Sequence, residues 1–139
     1  MVTNVPSTPL VRKLGIKPDA RLGLIGAPDG FDTTLGELPP GIGVRRRLAG
    51  QPFDVIVAFH TRRAELERRL PALADALDPA GGLWIAWPKR ASGVHTDLTD
   101  DVVRRLGLAG GLVDNKVCAI DQTWSGLRLV YRLRDRPPT

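Results

Sequence analysis

Short apolar runs separated by glycine and proline dominate the chain, and three of them suit strands buried on both faces. Residues 21–27 are apolar after the first position, Phe53–Phe59 reads FDVIVAF, and 83–87 is apolar throughout. Runs of this length without alternation belong to the interior of a parallel sheet. From Thr61 the period changes, because Leu66, Leu70, Leu73 and Leu77 recur at steps of four, three and four along one helical face. Pro71 falls inside that pattern. It removes a backbone donor and opposes helical geometry at Leu70, which predicts a kink or two abutting helices.

Local signals fill in the rest. Thr8 as cap, Pro9 at the first position and Gly15 past the end predict a short helix, and residues 17–20 read as a turn. One helical turn is expected within 31–43. A short strand at 44–48 has no predicted direction, because residues 49–52 are too few for a parallel crossover to an adjacent strand. Gly81 and Gly82 close the helical unit and 89–98 is a polar loop. Thr99 caps a further helix with Asp100 and Asp101 in its first turn, and Gly107, Gly110 and Gly111 mark its end. Near the C-terminus Leu127, Leu129, Tyr131 and Leu133 alternate with Arg128, Arg132 and Arg134, a period of two. The short link at 121–123 to the strand before it permits only an antiparallel hairpin. The whole reads as α/β: a Rossmann-like, mostly parallel sheet of about five to six strands, with helices on both faces and a C-terminal antiparallel hairpin. Residues 1–7 and 135–139 are expected to be loose tails.

Composition narrows the function classes. At 139 residues, with 42% apolar and 25% charged positions, one globular domain is expected across 1–139. No apolar window approaches a membrane span of about 18 residues. The single cysteine excludes an internal disulfide and a cysteine-based zinc cage. With no apolar leader segment, a cytoplasmic location is expected. The net charge of +5 favours anionic partners. Sixteen of the 20 cations are arginine, a bias that a GC-rich bacterial genome also produces. Nucleic acid is the weaker partner class, because the charge comes with no recognition motif and with only seven aromatic residues for base stacking.

Two stretches resemble class I S-adenosylmethionine (SAM) methyltransferases. Residues 16–22 through Gly26 are similar to their first strand and glycine loop. Residues 53–57 through 77–83 are similar to their fourth and fifth strands with the helix between, and the terminal hairpin also looks like theirs. Over nearly its whole length the chain most resembles a small uncharacterised bacterial family of stand-alone domains. The strings that carry this are 86–93 (AWPKRASG), 96–104 (TDLTDDVVR), 111–121 (GLVDNKVCAID) and 124–128 (WSGLR). That resemblance implies a methyltransferase-like fold and no particular activity. Methyltransferases of this class usually carry an acid at the end of the first strand, then G-x-G-x-G, and a second acid after the second strand for the ribose hydroxyls. Here Leu24 stands at the first acidic position and Pro28 at the middle glycine, with only Gly26 and Gly30 matching. Residues 44–50 offer no ribose acid. SAM is therefore a disfavoured cofactor.

Ligands in open parallel sheets sit beyond the carboxyl ends of the strands. The loops expected there contribute Gly26, Asp29 and Gly30; His60, Thr61, Arg62 and Arg63; and Lys89, Arg90, Ser92 and Asp97. Two arginines in the first turn of a helix oppose its dipole, and an anion would reverse that cost. His60 and His95 are expected to be partly exposed surface histidines, since no metal-ligand spacing accompanies them. Asn115, Lys116, Asp121, Trp124 and Arg128 are expected to form a half-buried structural or binding network, with Lys116 paired to Asp114 or Asp121. Cys118 is expected to be an inert buried thiol. Arg45, Arg46, Arg47 and the Arg128 row could meet an acidic protein or a phosphate backbone. The sequence thus reads as a degenerate or non-catalytic methyltransferase-like domain binding a small anionic ligand or a protein partner. SAM-dependent methyl transfer and nucleic-acid binding are the alternatives.

Overall fold

A computed structural model describes residues 8–50 and 52–132. Its strands are β1 (Arg21–Ile25), β2 (Gly43–Arg45), β3 (Phe53–Phe59), β4 (Leu77–Pro88), β5 (Leu112–Ala119) and β6 (Trp124–Tyr131), and its helices are α1 (Leu10–Lys13), α2 (Phe31–Leu35), α3 (Arg63–Ala76) and α4 (Asp100–Ala109). One mixed sheet runs in the order β2-β1-β3-β4-β6-β5. The first four strands in that order are parallel, and β6 pairs antiparallel with both β4 and β5. The expected α/β architecture with a terminal hairpin is the observed one. The expected tails, with Leu133 and Arg134, lie outside the described residues.

Burial on both faces of β1, β3 and β4 divides the core into two clusters. On one face Ile56, Ala58, Leu83 and Ile85 meet Leu66, Leu70 and Leu73 of α3 and Val103 and Leu106 of α4. On the other, Leu22, Leu24, Val57 and Trp84 meet Leu14, Phe31 and Leu35 around α1 and α2. Each fully buried aliphatic or aromatic side chain contributes about 1.5–3 kcal/mol. The Trp84 ring is completely buried, and its Nε1 donates to the Leu14 carbonyl at 3.0 Å. The Tyr131 hydroxyl likewise donates to the Ala74 carbonyl, tying the hairpin to the last turn of α3. At the amino edge Arg21 fastens β1 to β3: its backbone N–H donates to Asp54 Oδ2 at 2.8 Å and its guanidinium lies 3.3 Å from Oδ1.

Several local expectations are corrected. β1 stops at Ile25, because Gly26 turns the chain with φ +69° and a Cβ there would sit 3.1 Å from the Phe59 carbonyl oxygen. The expected strand at 44–48 is the three-residue β2. It is parallel and pairs only with the first half of β1. β1 lies between it and β3, so residues 46–52 cross two strand spacings but descend only a short way, which a short link can span. Thr8 does not cap α1; Pro9 holds that position without a side-chain hydrogen bond. Gly81 and Gly82 lie inside β4, where residues 78–81 bulge out opposite Asp54. Gly107 does not end α4 but lies within it, and a Cβ there would approach Leu129 Cδ2 to 2.6 Å, so the missing side chain lets the helix press on β6. Thr99 does cap α4, its Oγ1 accepting from Val102 N at 3.2 Å. Among the described residues no helix is long and apolar enough to cross a membrane.

Pro71 neither splits nor ends α3, which runs unbroken through it. Both Pro71 and Glu67, whose carbonyl loses its helical donor, are exposed, so water can satisfy the freed oxygen. The lost bond still costs stability relative to alanine, partly offset by the stiffer unfolded chain. Pro71→Ala is expected to raise the unfolding free energy by about 2 kcal/mol. Urea denaturation checks this, and an unchanged midpoint would show that the helix carries no strain there.

Candidate functional site

The parallel strands release their loops along one edge. The glycine loop 26–30 leads into Phe31, whose ring meets Phe59 edge to face at 4.9 Å; Phe59 meets Trp124 in the same way at 5.0 Å. This aromatic row fills the space beneath the ends of β1 and β3. Beyond it, Asp32 accepts both of its contacts from Arg46 Nη2, at 2.9 and 3.0 Å, so the first residue after β2 is already joined to α2.

His60 is not the partly exposed residue expected. It is 2% exposed and neither ring nitrogen has a hydrogen-bond partner. Burial pushes its pKa down, and the positive charge of Arg69 pushes the same way, while Glu65 and the Ala58 carbonyl pull back only in part. A buried neutral imidazole is the consequence. His95 is the exposed histidine of the two.

The start of α3 also differs from expectation. Its cap residue, Arg62, makes no side-chain cap, and the Arg63 N–H donates to Asp97 Oδ1 at 2.7 Å. Thr96 Oγ1 donates to the Thr61 carbonyl at 2.6 Å and accepts from Leu98 N at 3.1 Å. Asp97, expected as a crevice ligand, is thus the anion on this helix start, and the amide assigned to an external anion is taken by the chain itself. Nothing in the spacing of Asp97 from Arg63 signals this, because the contact spans 34 residues.

The loop after β4 opens a cleft of about 560 Å³ between residues 87–100 and the hairpin. Trp87, Leu98 and Val117 give it apolar walls, and Lys89, Arg90 and His95 bring basic side chains. Val94 and Val117 also line it, 43% and 55% exposed. Lys89 N donates to the Thr123 carbonyl at 2.7 Å, which sets the loop against the hairpin. Ser92 Oγ donates to the Lys89 carbonyl at 2.6 Å and accepts from Val94 N, so it shapes the turn and does not face a ligand. Of the expected crevice residues, only Lys89 and Arg90 line this cleft. Gly26, Asp29, Gly30, His60, Thr61, Arg62 and Arg63 line none of the five main clefts of the described residues. Val94, His95 and Val117 were not expected there; an apolar Val117 between polar neighbours on an edge strand is the one sequence signal that could have shown it.

The expected polar network divides into separate parts. Asp121 Oδ1 accepts from Thr123 N and Trp124 N, both at 2.8 Å, closing the hairpin turn. Asn115 and Lys116 are exposed on β5, and Asp114 pairs with Arg104 at 3.0 Å instead of with Lys116. The Arg128 guanidinium lies across Gly82. Cys118 is half-buried, and desolvation pushes its thiol pKa up despite Lys13 and Lys116, which keeps it a poor nucleophile. Among the described residues no group of three or more His, Cys, Asp or Glu side chains is placed to hold a metal.

No family model matches the sequence, and no curated protein matches it. Solved structures do match in fold. A SAM-dependent methyltransferase from Aquifex aeolicus is similar with TM-score 0.62 at 14% identity, over 86% of each chain. The fold is methyltransferase-like. A TehB-like SAM-dependent methyltransferase from Corynebacterium glutamicum gives 0.55 at 13%, over 88% of this chain and 85% of that one. Magnesium protoporphyrin IX methyltransferase from Synechocystis, solved with bound SAM, gives 0.55 at 9%, over 88% and 74%. Within this methyltransferase-like frame the residues present do not fit SAM. Leu24, at the usual acidic position, is 2% exposed inside the core, and Arg46 after β2 is engaged with Asp32.

A pH dependence follows from His60. The unfolded chain's imidazole takes up a proton below its ordinary value of 6.5, whereas the folded one resists it. The unfolded state then binds more protons, so stability falls as pH drops below that value and levels off under the folded pKa. His60→Leu is expected to flatten this limb in denaturation curves taken between about pH 7 and 5. It should also remove two buried unpaired nitrogens at similar volume. A limb of equal slope in the variant would assign the acid sensitivity to other groups.

Proposed function

We propose that this methyltransferase-like domain binds a small anion with an apolar body in the cleft at the end of β4, and does so without SAM. The observation that carries this reading is the pairing of chemistry inside one cleft. Lys89 and Arg90 have no ion-pair partner among the described residues, and they stand beside the apolar surface of Trp87, Val94 and Val117. Adjacent cations repel each other, and an anion between them relieves that repulsion while its apolar part covers the exposed valines. The volume lies in the range of small-molecule sites. A methyl-transfer reading draws on the fold likeness, and the lack of free carboxylates at the two usual positions opposes it.

Two measurements test the proposal. Phosphate should raise the melting temperature above that in chloride of equal ionic strength, by on the order of 10 °C at a hundredfold excess over Kd, and Lys89→Ala/Arg90→Ala should abolish the difference. An undiminished shift in that variant would remove the cleft from consideration. Titration calorimetry with SAM and with its demethylated product should give no saturable heat; micromolar affinity for either would return methyl transfer to the lead.

A further inference from the structure

Each parallel strand except β1 releases basic residues at the same edge of the sheet. β2 ends at Arg45 and continues into Arg46 and Arg47, β3 is followed by Arg62 and Arg63, and β4 by Lys89 and Arg90. The sheet order β2-β1-β3-β4 strings these clusters along the carboxyl edge. The outer two are three strand spacings apart, about 14 Å. Local carboxylates answer only part of this charge. Asp32 neutralises Arg46, and Asp97 is used on the Arg63 amide. Asp29 and Asp100 are the other acids near the edge. Arg45, Arg47, Arg62, Lys89 and Arg90 have no ion-pair partner among the described residues.

The far cluster is shaped as well as charged. Residues 44–50 fold around a second cleft of about 410 Å³ lined by Arg45, Arg46 and Arg47. The Arg45 guanidinium lies against Gly50, its Nε 3.5 Å from where a Cβ would be, so this side chain is laid along its own turn. Two basic clefts therefore flank the ends of the parallel strands, and the basic start of α3 lies between them.

We infer that the ligand of the β4 cleft is elongated and multiply phosphorylated, of the nucleoside-polyphosphate class, with its apolar end in that cleft and its phosphates extending over Arg62 and Arg63 toward Arg45 and Arg47. This inference rests on the β4 cleft as the binding site and adds the second cluster to it. A single phosphate or carboxylate satisfies only one end. A nucleoside triphosphate is about as long as the gap and carries its charge along the row of cations, while its base suits the walls formed by Trp87 and Val117. The scarcity of aromatic side chains disfavours a longer single strand, which would need several stacking surfaces.

The test uses the full chain, without divalent cations, and titrates ATP, inorganic tripolyphosphate and orthophosphate at constant ionic strength. ATP is expected to bind more tightly than tripolyphosphate, and tripolyphosphate more tightly than orthophosphate. Arg45→Ala/Arg47→Ala and Lys89→Ala/Arg90→Ala should each weaken ATP about tenfold, while orthophosphate should respond only to the second pair. These positions are exposed or half-exposed, and circular dichroism confirms that the variants fold. ATP affinity untouched by the Arg45/Arg47 change, with the Lys89/Arg90 effect intact, overturns the two-cluster ligand and leaves the single-cleft reading standing. Indifference of every anion to both changes overturns both. An eight-nucleotide oligothymidylate that binds more tightly than ATP, with a steep salt dependence, replaces the small ligand by nucleic acid and also overturns the inference.

Discussion

Strands that are apolar on both faces must be covered on both, and the arrangement of this chain follows from that demand at β1, β3 and β4. Only one face receives long helices. α3 and α4 lie there, and Gly107 lets α4 come close enough to cover β6. The opposite face is closed by two helices of four and five residues and by bulky single side chains, with Trp84 and Phe31 among its largest fully buried groups. Aromatic packing there continues to the carboxyl edge through Phe59 and Trp124, so the covering of the core also decides what room remains at the strand ends.

That room differs between the two halves of the edge. Over β1 and β3 the chain uses its own groups: rings fill the space, Arg46 holds Asp32, and Asp97 caps α3. Over β4 the loop is held away by Lys89 on Thr123 and by Thr96 on Thr61, and a cleft remains beneath it. A methyltransferase-like frame has in this way been closed where the resemblance places a cofactor and left open one strand further along.

The parts of this picture that were legible in the sequence are those governed by local periodicity. The extent of β3, the leucine face of α3, the Thr99 cap and the antiparallel sense of the hairpin all rest on residues close in the chain. What was not legible depends on partners far away or on solvent. Pro71 is harmless to helix continuity because its orphaned carbonyl faces water, which a period of leucines does not reveal. Gly107 looks like a helix end until Leu129 is seen against it. His60 sits at a position that reads as a loop after a strand, yet α3 folds over it. Lys116 and Asp114 are sequence neighbours that turn to different partners, since alternation places them on the same face of β5 but Arg104 reaches only one. Asp97 is the clearest case, a carboxylate whose role is set by a contact across 34 residues.

The two open margins of the sheet are unequal in length but similar in effect. β2 offers only three residues, and β5 is longer but carries a register break at Asn115, with Lys116 exposed beside it. A backbone that is short on one side and irregular and charged on the other is a poor template for another strand. Copies of this chain therefore lack a ready means of joining sheet to sheet into fibrils, even though β5 leaves a run of backbone groups facing outward.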